Sequence, residues 1–179
     1  MSKRTLVAVL AAVFLAITVV ACGDQTVPAA PTKPGPKPTI VRTPTPVAAT
    51  PDEAVRQIIN AECEAVVQQD IDRLQGIWAT DGVVVDANHS PDSAGDDVTW
   101  KGWDAVRDRY VNLVFPSSPT FCEHPGTNVS IGADNASATA TTGIKIGVTT
   151  CTDCNKWTFK KVGDAWKIVT LTYNLNPQK

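Results

Sequence analysis

Residues 137–150, "SATATTGIKIGVTT", alternate between small or apolar side chains and polar or glycine ones. That pattern suits a strand, whose side chains point to opposite faces with period two, and not a helix, whose neighbours on one face lie three or four residues apart. Ala138, Ala140, Thr142, Ile144, Ile146 and Val148 fall on one side, and Thr139, Thr141, Gly143, Lys145 and Gly147 on the other. Two glycines on the outer face mark places where a long strand bends or carries a bulge. "KWTFKKV", a Gly163-Asp164 turn and "AWKIVTLTYN" then make a hairpin. Strict alternation places Trp157, Phe159, Trp166 and Ile168 on one face, with Val169, Leu171 and Tyr173 on the other. A hairpin apolar on both faces needs two covers: helices on one side, a second copy of the chain on the other.

The helices come first in the chain. Thr50 is placed to cap, Pro51 suits the first helical position and Glu53 completes a capping box. Val55, Ile58, Ile59, Glu62/Cys63 and Val66 then recur at helical spacing. Asp70 caps a second, short helix with Ile71, Leu74, Ile77 and Trp78 buried. "DGVVVD" reads as a short strand and "ANHSPDSAGDDVT" as a polar loop. After Gly102 a third helix shares a face among Trp103, Val106, Tyr110 and Leu113/Val114. Helices followed by a meander of bending strands define an α+β class.

Ahead of this domain, Lys3 and Arg4 precede an apolar run of 16 residues, Leu6 to Ala21, with Cys22 immediately after. The run is short of the ~20 residues a spanning helix needs and has the layout of a secretory signal. "VVAC", residues 19–22, resembles a bacterial lipobox, which implies acylation of Cys22 (palmitate or a similar chain) after removal of residues 1–21. Residues 22–50 are proline-rich: eight of the 13 prolines lie between Gly23 and Pro51. Such density favours extended polyproline II, so the segment reads as a tether. Residues 51–179 form the domain, expected outside the cytoplasm and anchored by lipid to the bacterial cell membrane. From residue 51 onward eleven Lys/Arg face seventeen Asp/Glu, a net of −6. That balance argues against nucleic acid as a partner.

Three stretches in order, "DIDRLQGIWATDGVVVD", "WKGWDAVRDRY" and "WTFKKVGDAWKIVTLTYN", resemble the nuclear transport factor 2-like superfamily, which includes SnoaL-like cyclases and ketosteroid isomerases. The resemblance implies a cone: a curved antiparallel sheet wrapped around the N-terminal helices, with a pocket at the open end and, in many relatives, dimerisation through the sheet. It places Glu62, Trp78, Asp86, Trp103, Tyr110 and Asn155 around that pocket. Asp86 aligns with the aspartate that shuttles a proton in the isomerases. Their oxyanion tyrosine falls at Glu62, and their protonated aspartate near Asn155. An ionised Glu62 repels a developing oxyanion, and a single amide replaces a strong acid poorly. The expected function is therefore a binding module for a small ligand or a partner protein, without catalysis and without a cofactor. The alternative is an isomerase, cyclase or hydrolase using Asp86 as general base.

Four cysteines remain in the domain. Cys63–Cys122 and Cys151–Cys154 are the favoured disulfides of an exported chain; a redox Cys-x-x-Cys and a four-cysteine zinc site are the other readings. Asp86, Asn88, Ser90, Asp92 and Asp97 follow calcium-loop spacing, but Pro91 stands where the turn wants glycine. A solvated loop is the expectation there. His89 and His124 lack the spacing of a zinc pair, so no metal site is expected.

Overall fold

The structure is a computed structural model, and it describes residues 47, 48, 50–88 and 95–175. The apolar run, Cys22, almost all of the proline-rich segment, His89 and the middle of the calcium-spaced loop lie outside the described residues. Among the described residues, no helix is long and apolar enough to cross a membrane.

Helix α1 (Pro51–Gln68) starts where its capping residues dictate: the Thr50 hydroxyl accepts from the Glu53 N–H at 3.2 Å. It ends where Gln69 turns left-handed with φ 53° and returns its N–H to the last carbonyls. Asp70 caps α2 (Ile71–Ile77), accepting from the Arg73 N–H at 3.0 Å. Strand β1 (Trp78–Asp86) follows at once, so Trp78 opens a strand and does not close a helix. Next come β2 (Val98–Lys101) and α3 (Trp103–Arg109). A wider π-type turn then covers Tyr110–Val114 and a 3₁₀ turn Phe115–Ser117. The widened turn leaves Leu113 exposed rather than on the buried face with Val106 and Tyr110.

Five more strands complete the chain: β3 (Cys122–Glu123), β4 (Asn128–Ile131), β5 (Ser137–Ile146), β6 (Thr149–Val162) and β7 (Ala165–Tyr173). They form a curved, unclosed seven-stranded sheet in the order β2-β1-β7-β6-β5-β3, with β4 on the same edge of β5 as β3. One pair departs from the antiparallel rule. β1 runs parallel to β7, pairing Val83 with Thr170 and Asp86 with Tyr173. A parallel pair needs a long crossover, and nearly the whole domain lies between these two strands.

Curvature comes from irregular pairing, because an inserted residue bends a strand and raises its twist. Opposite Gly143, β6 carries extra residues: Thr142 pairs with Asn155 but Ile144 pairs with Cys151. Cys151 and Cys154 thus straddle a bulge within one strand, not a turn between two. Between Thr158 and Phe159 the partners in β7 jump from Thr170 to Ile168, leaving Val169 as the inserted residue. This shift corrects the two-faced reading of the hairpin. Leu171 pairs with Trp157 and joins Phe159 and Ile168 on the inner face, where all four are buried. Outside, Thr158 and Thr170 share a 2.6 Å hydrogen bond and Lys160 pairs with Asp81. A polar outer face removes the sequence argument for a second copy there. Gly147, with φ 54°, turns the chain between β5 and β6, so Val148 sits fully exposed at a hairpin tip instead of on the inner face.

The core lies between sheet and helices. Val55, Ile59 and Val66 of α1 pack with Leu74, Val84, Val106, Trp157, Phe159 and Ile168, each at most 2 % exposed. Burying side chains of this size contributes about 1.5–3 kcal/mol each.

Candidate functional site

Where the inner face of β5–β7 parts from α1, the core leaves a recess of about 330 Å³. Its walls are mostly apolar: Val66 from α1, Leu113 and Val114 from the π-type turn, Ile144 and Ile146 from β5, and Leu171 from β7. The polar lining is supplied by Glu62, Tyr110, His124 and Asn155, with Arg109, Tyr173 and Asn174 among the rest.

Glu62 is the anomaly of α1. It stands on the apolar face, seven residues after Val55, and is only 6 % exposed. A buried carboxylate needs partners, and two distant segments provide them. The Tyr110 hydroxyl donates to one carboxylate oxygen at 2.6 Å, and His124 Nε2 lies 3.4 Å from the other. Burial, and then the neighbouring Glu62 charge, hold the Tyr110 hydroxyl well above its ordinary pKa of 10.0. Tyr110 is therefore the donor in this bond.

His124 is fixed by close backbone approach. A side chain at Gly143 would meet the Cys151 carbonyl at 2.7 Å and Pro125 at 3.2 Å, so only glycine lets the loop after β3 close on β5. The Gly143 N–H donates to the Pro125 carbonyl at 2.8 Å, and its own carbonyl accepts from His124 Nδ1 at 3.2 Å. The imidazole stands edge-on to Trp157, with ring centres 5.1 Å apart, and Trp157 Nε1 donates to the buried Thr142 hydroxyl at 3.1 Å.

At the rim, the Arg109 guanidinium lies over three rings: Tyr173 at 4.7 Å, Trp100 at 5.3 Å and Tyr110 at 5.5 Å. Each such contact contributes about 0.5–2 kcal/mol depending on exposure. Burial raises the Tyr173 hydroxyl pKa; Arg109 draws it back down and Asp86 pushes it up. That hydroxyl therefore sits between the two charges. Asp86 itself is already engaged, one oxygen accepting from the Asn88 N–H at 2.9 Å and from the Asn174 amide at 2.8 Å.

Of the residues expected around a pocket, Glu62, Tyr110 and Asn155 line this recess. Trp78, Asp86 and Trp103 are not among its lining. Trp78 is 3 % exposed within the core, and Trp103 packs against that core from the start of α3. Asp86 stands behind Asn174, joining the end of β1 to the C-terminal segment. Sequence reasoning missed His124, Arg109, Tyr173 and Asn174. A signal existed for His124. The cysteines pair as Cys63–Cys122 and Cys151–Cys154, with Cα separations of 5.2 Å and 6.0 Å. Glu62 adjoins Cys63 and His124 lies two residues from Cys122, so the first bond brings those neighbours together.

No protein-family model and no curated protein matches the chain. Solved structures do. A nuclear transport factor 2-like protein of unknown function from Shewanella baltica OS155 superposes with a TM-score of 0.52 at 15 % identity, covering 70 % of this chain and 93 % of its own. One from Pseudomonas putida KT2440 gives 0.51 at 18 % identity, with 68 % and 84 % covered. A cystatin-like fold protein from Burkholderia xenovorans LB400 gives 0.50 at 18 % identity, with 68 % and 88 % covered. The chain has the nuclear transport factor 2-like, cystatin-like fold.

Proposed function

We propose that this domain is a binding module for a small, largely apolar molecule with one polar end, carried outside the cell membrane on a tether acylated at Cys22. The observation that carries the reading is a recess of about 330 Å³ with apolar walls, in which Glu62 is already held by Tyr110 and His124. Ligand pockets are commonly about 300–1,000 Å³, mostly apolar, with a few fixed polar groups. A general base must reach the proton it removes. Asp86 holds two donors on one oxygen and lies behind Asn174. The Tyr110 hydroxyl is committed to Glu62. These commitments favour binding over the isomerase, cyclase or hydrolase alternative. A partner protein could use the same recess only by inserting a single side chain.

The test is a thermal-shift screen of small amphipathic molecules against the full chain. A ligand at a hundred times its Kd stabilises by about 2.7 kcal/mol. The shift is expected in wild type and lost in Ile144→Trp, which fills the recess. Hits that survive Ile144→Trp would place binding elsewhere. Ketosteroid turnover that disappears in Asp86→Asn would replace this reading with the enzyme.

A further inference from the structure

Four metal-ligating side chains meet at the junction of α1 and β3: Glu62, Cys63, Cys122 and His124, with one donor atom from each all within 4.8 Å of one another. We propose that they form a latent zinc site, closed by the Cys63–Cys122 disulfide and opened when a dithiol reductant cleaves it. The inference does not depend on what the recess binds.

The geometry around His124 carries it. Nδ1 donates to the Gly143 carbonyl, which fixes the ring so that Nε2 faces a Glu62 oxygen 3.4 Å away. In the reduced form a metal ion would sit between Nε2, this oxygen and the two sulfurs. The outer partners are those a metal ligand requires: a backbone carbonyl fixing the histidine tautomer, and a donor holding the second carboxylate oxygen. Tyr110 is that donor, at 2.6 Å. The His124 side chain is 1 % exposed and that of Glu62 7 %, so both are desolvated before a metal arrives.

Chemistry selects the ion. Two thiolates, one imidazole and one carboxylate suit tetrahedral zinc, with bonds of about 2.0–2.3 Å, and disfavour calcium or magnesium. Tetrahedral bonds of that length put donor atoms about 3.3–3.8 Å apart, so after reduction the two sulfurs have to separate while the widest donor pair closes by about 1 Å. Reduction adds two electrons and two protons to the disulfide, giving two thiols, while the reducing dithiol becomes a disulfide. Zinc then displaces both thiol protons. Access exists from outside the fold: a groove of about 560 Å³, which shares Cys122 and His124 with the apolar recess, is lined by Cys63, Cys122 and His124 together with Asn60, Glu64 and Phe121. Cys151 and Cys154 belong to no such cluster among the described residues.

The experiment uses the full chain in detergent with Cys22→Ala, Cys151→Ser and Cys154→Ser, leaving one thiol pair, beside the wild type. Cobalt(II) is the probe, added before and after reduction by a phosphine and then displaced by zinc. The expected result is one cobalt per reduced chain with thiolate charge-transfer bands, and none bound to the oxidised chain. His124→Gln and Glu62→Gln should each weaken zinc at least about tenfold, while their oxidised forms keep the parent's near-ultraviolet circular dichroism. A reduced chain without cobalt bands overturns the proposal. So does a His124→Gln or Glu62→Gln variant that binds as tightly as the parent.

Discussion

Replacing Tyr110 by phenylalanine isolates the contact that holds the buried carboxylate. The ring is fully buried and stays in place, edge-on to Trp78 at 6.5 Å and near Phe115 at 6.2 Å. No cavity term like the 3–5 kcal/mol of an aromatic-to-alanine change applies. What is lost is a 2.6 Å hydrogen bond to Glu62. A bond to a charged group contributes about 1.5–3 kcal/mol net, and the carboxylate that loses its donor is buried. The expected cost is therefore about 2–3 kcal/mol. For a domain of this size each kcal/mol lowers Tm by roughly 3–5 °C, so the drop should be about 6–15 °C.

Urea unfolding followed by tryptophan fluorescence reads this as a lower midpoint at constant slope. Repeating it in a Glu62→Gln background completes a cycle. The amide still accepts the bond but carries no charge, so Tyr110→Phe should cost only about 0.5–1.5 kcal/mol there. The difference, about 1.5 kcal/mol, belongs to the charge. A single-variant cost below about 0.5 kcal/mol would refute the reasoning. Equal costs in both backgrounds would do the same for the charge assistance.

Three further outcomes are expected. Because the folded Tyr110 pKa is raised above 10.0 by burial and Glu62, its contribution is complete below that pH and is lost as pH rises beyond it; the wild-type midpoint should fall more steeply than that of Tyr110→Phe above pH 10, and parallel curves would contradict this. The disulfides close loops with sequence separations of 59 and 3; by chain entropy, Cys63→Ser/Cys122→Ser should cost about 4 kcal/mol and Cys151→Ser/Cys154→Ser about 2, compared by urea unfolding, with equal losses counting against the argument. In its host, Cys22→Ala should abolish fatty-acid incorporation by metabolic labelling; unchanged labelling would end the lipobox reading.

The parts legible in the sequence are those decided locally. Thr50, Pro51 and Glu53 announce the start of α1, and the Gly163-Asp164 turn announces the last hairpin. The long strand β5 is visible because small and apolar residues alternate along it. What stayed hidden was set by distant contacts. An inserted residue such as Val169 leaves no mark in composition, yet it moves Leu171 to the opposite face. β2, β3 and β4 span two to four residues each and are largely half-buried or exposed, so they show no period. The parallel pairing of β1 with β7 has no short-range signature at all. In the recess the same division holds: Glu62 stands out as a charge on an apolar stripe, whereas nothing in the sequence pairs Arg109 with Tyr173 until the sheet brings that ring beneath the guanidinium.

Glu62 also links the stability of the fold to the shape of the recess. Its hydrogen-bonding partners lie 48 and 62 residues away in sequence, and the Cys63–Cys122 bond fixes the same junction. A buried ionised group with partners is often no more stabilising than an apolar side chain of equal volume. A leucine at position 62 would continue the stripe of Val55, Ile59 and Val66 without needing Tyr110 or His124. The carboxylate instead draws three separate segments to one point and leaves polar atoms facing an apolar recess. Stability alone gives little reason for that arrangement. What it supplies is a fixed acceptor at this depth.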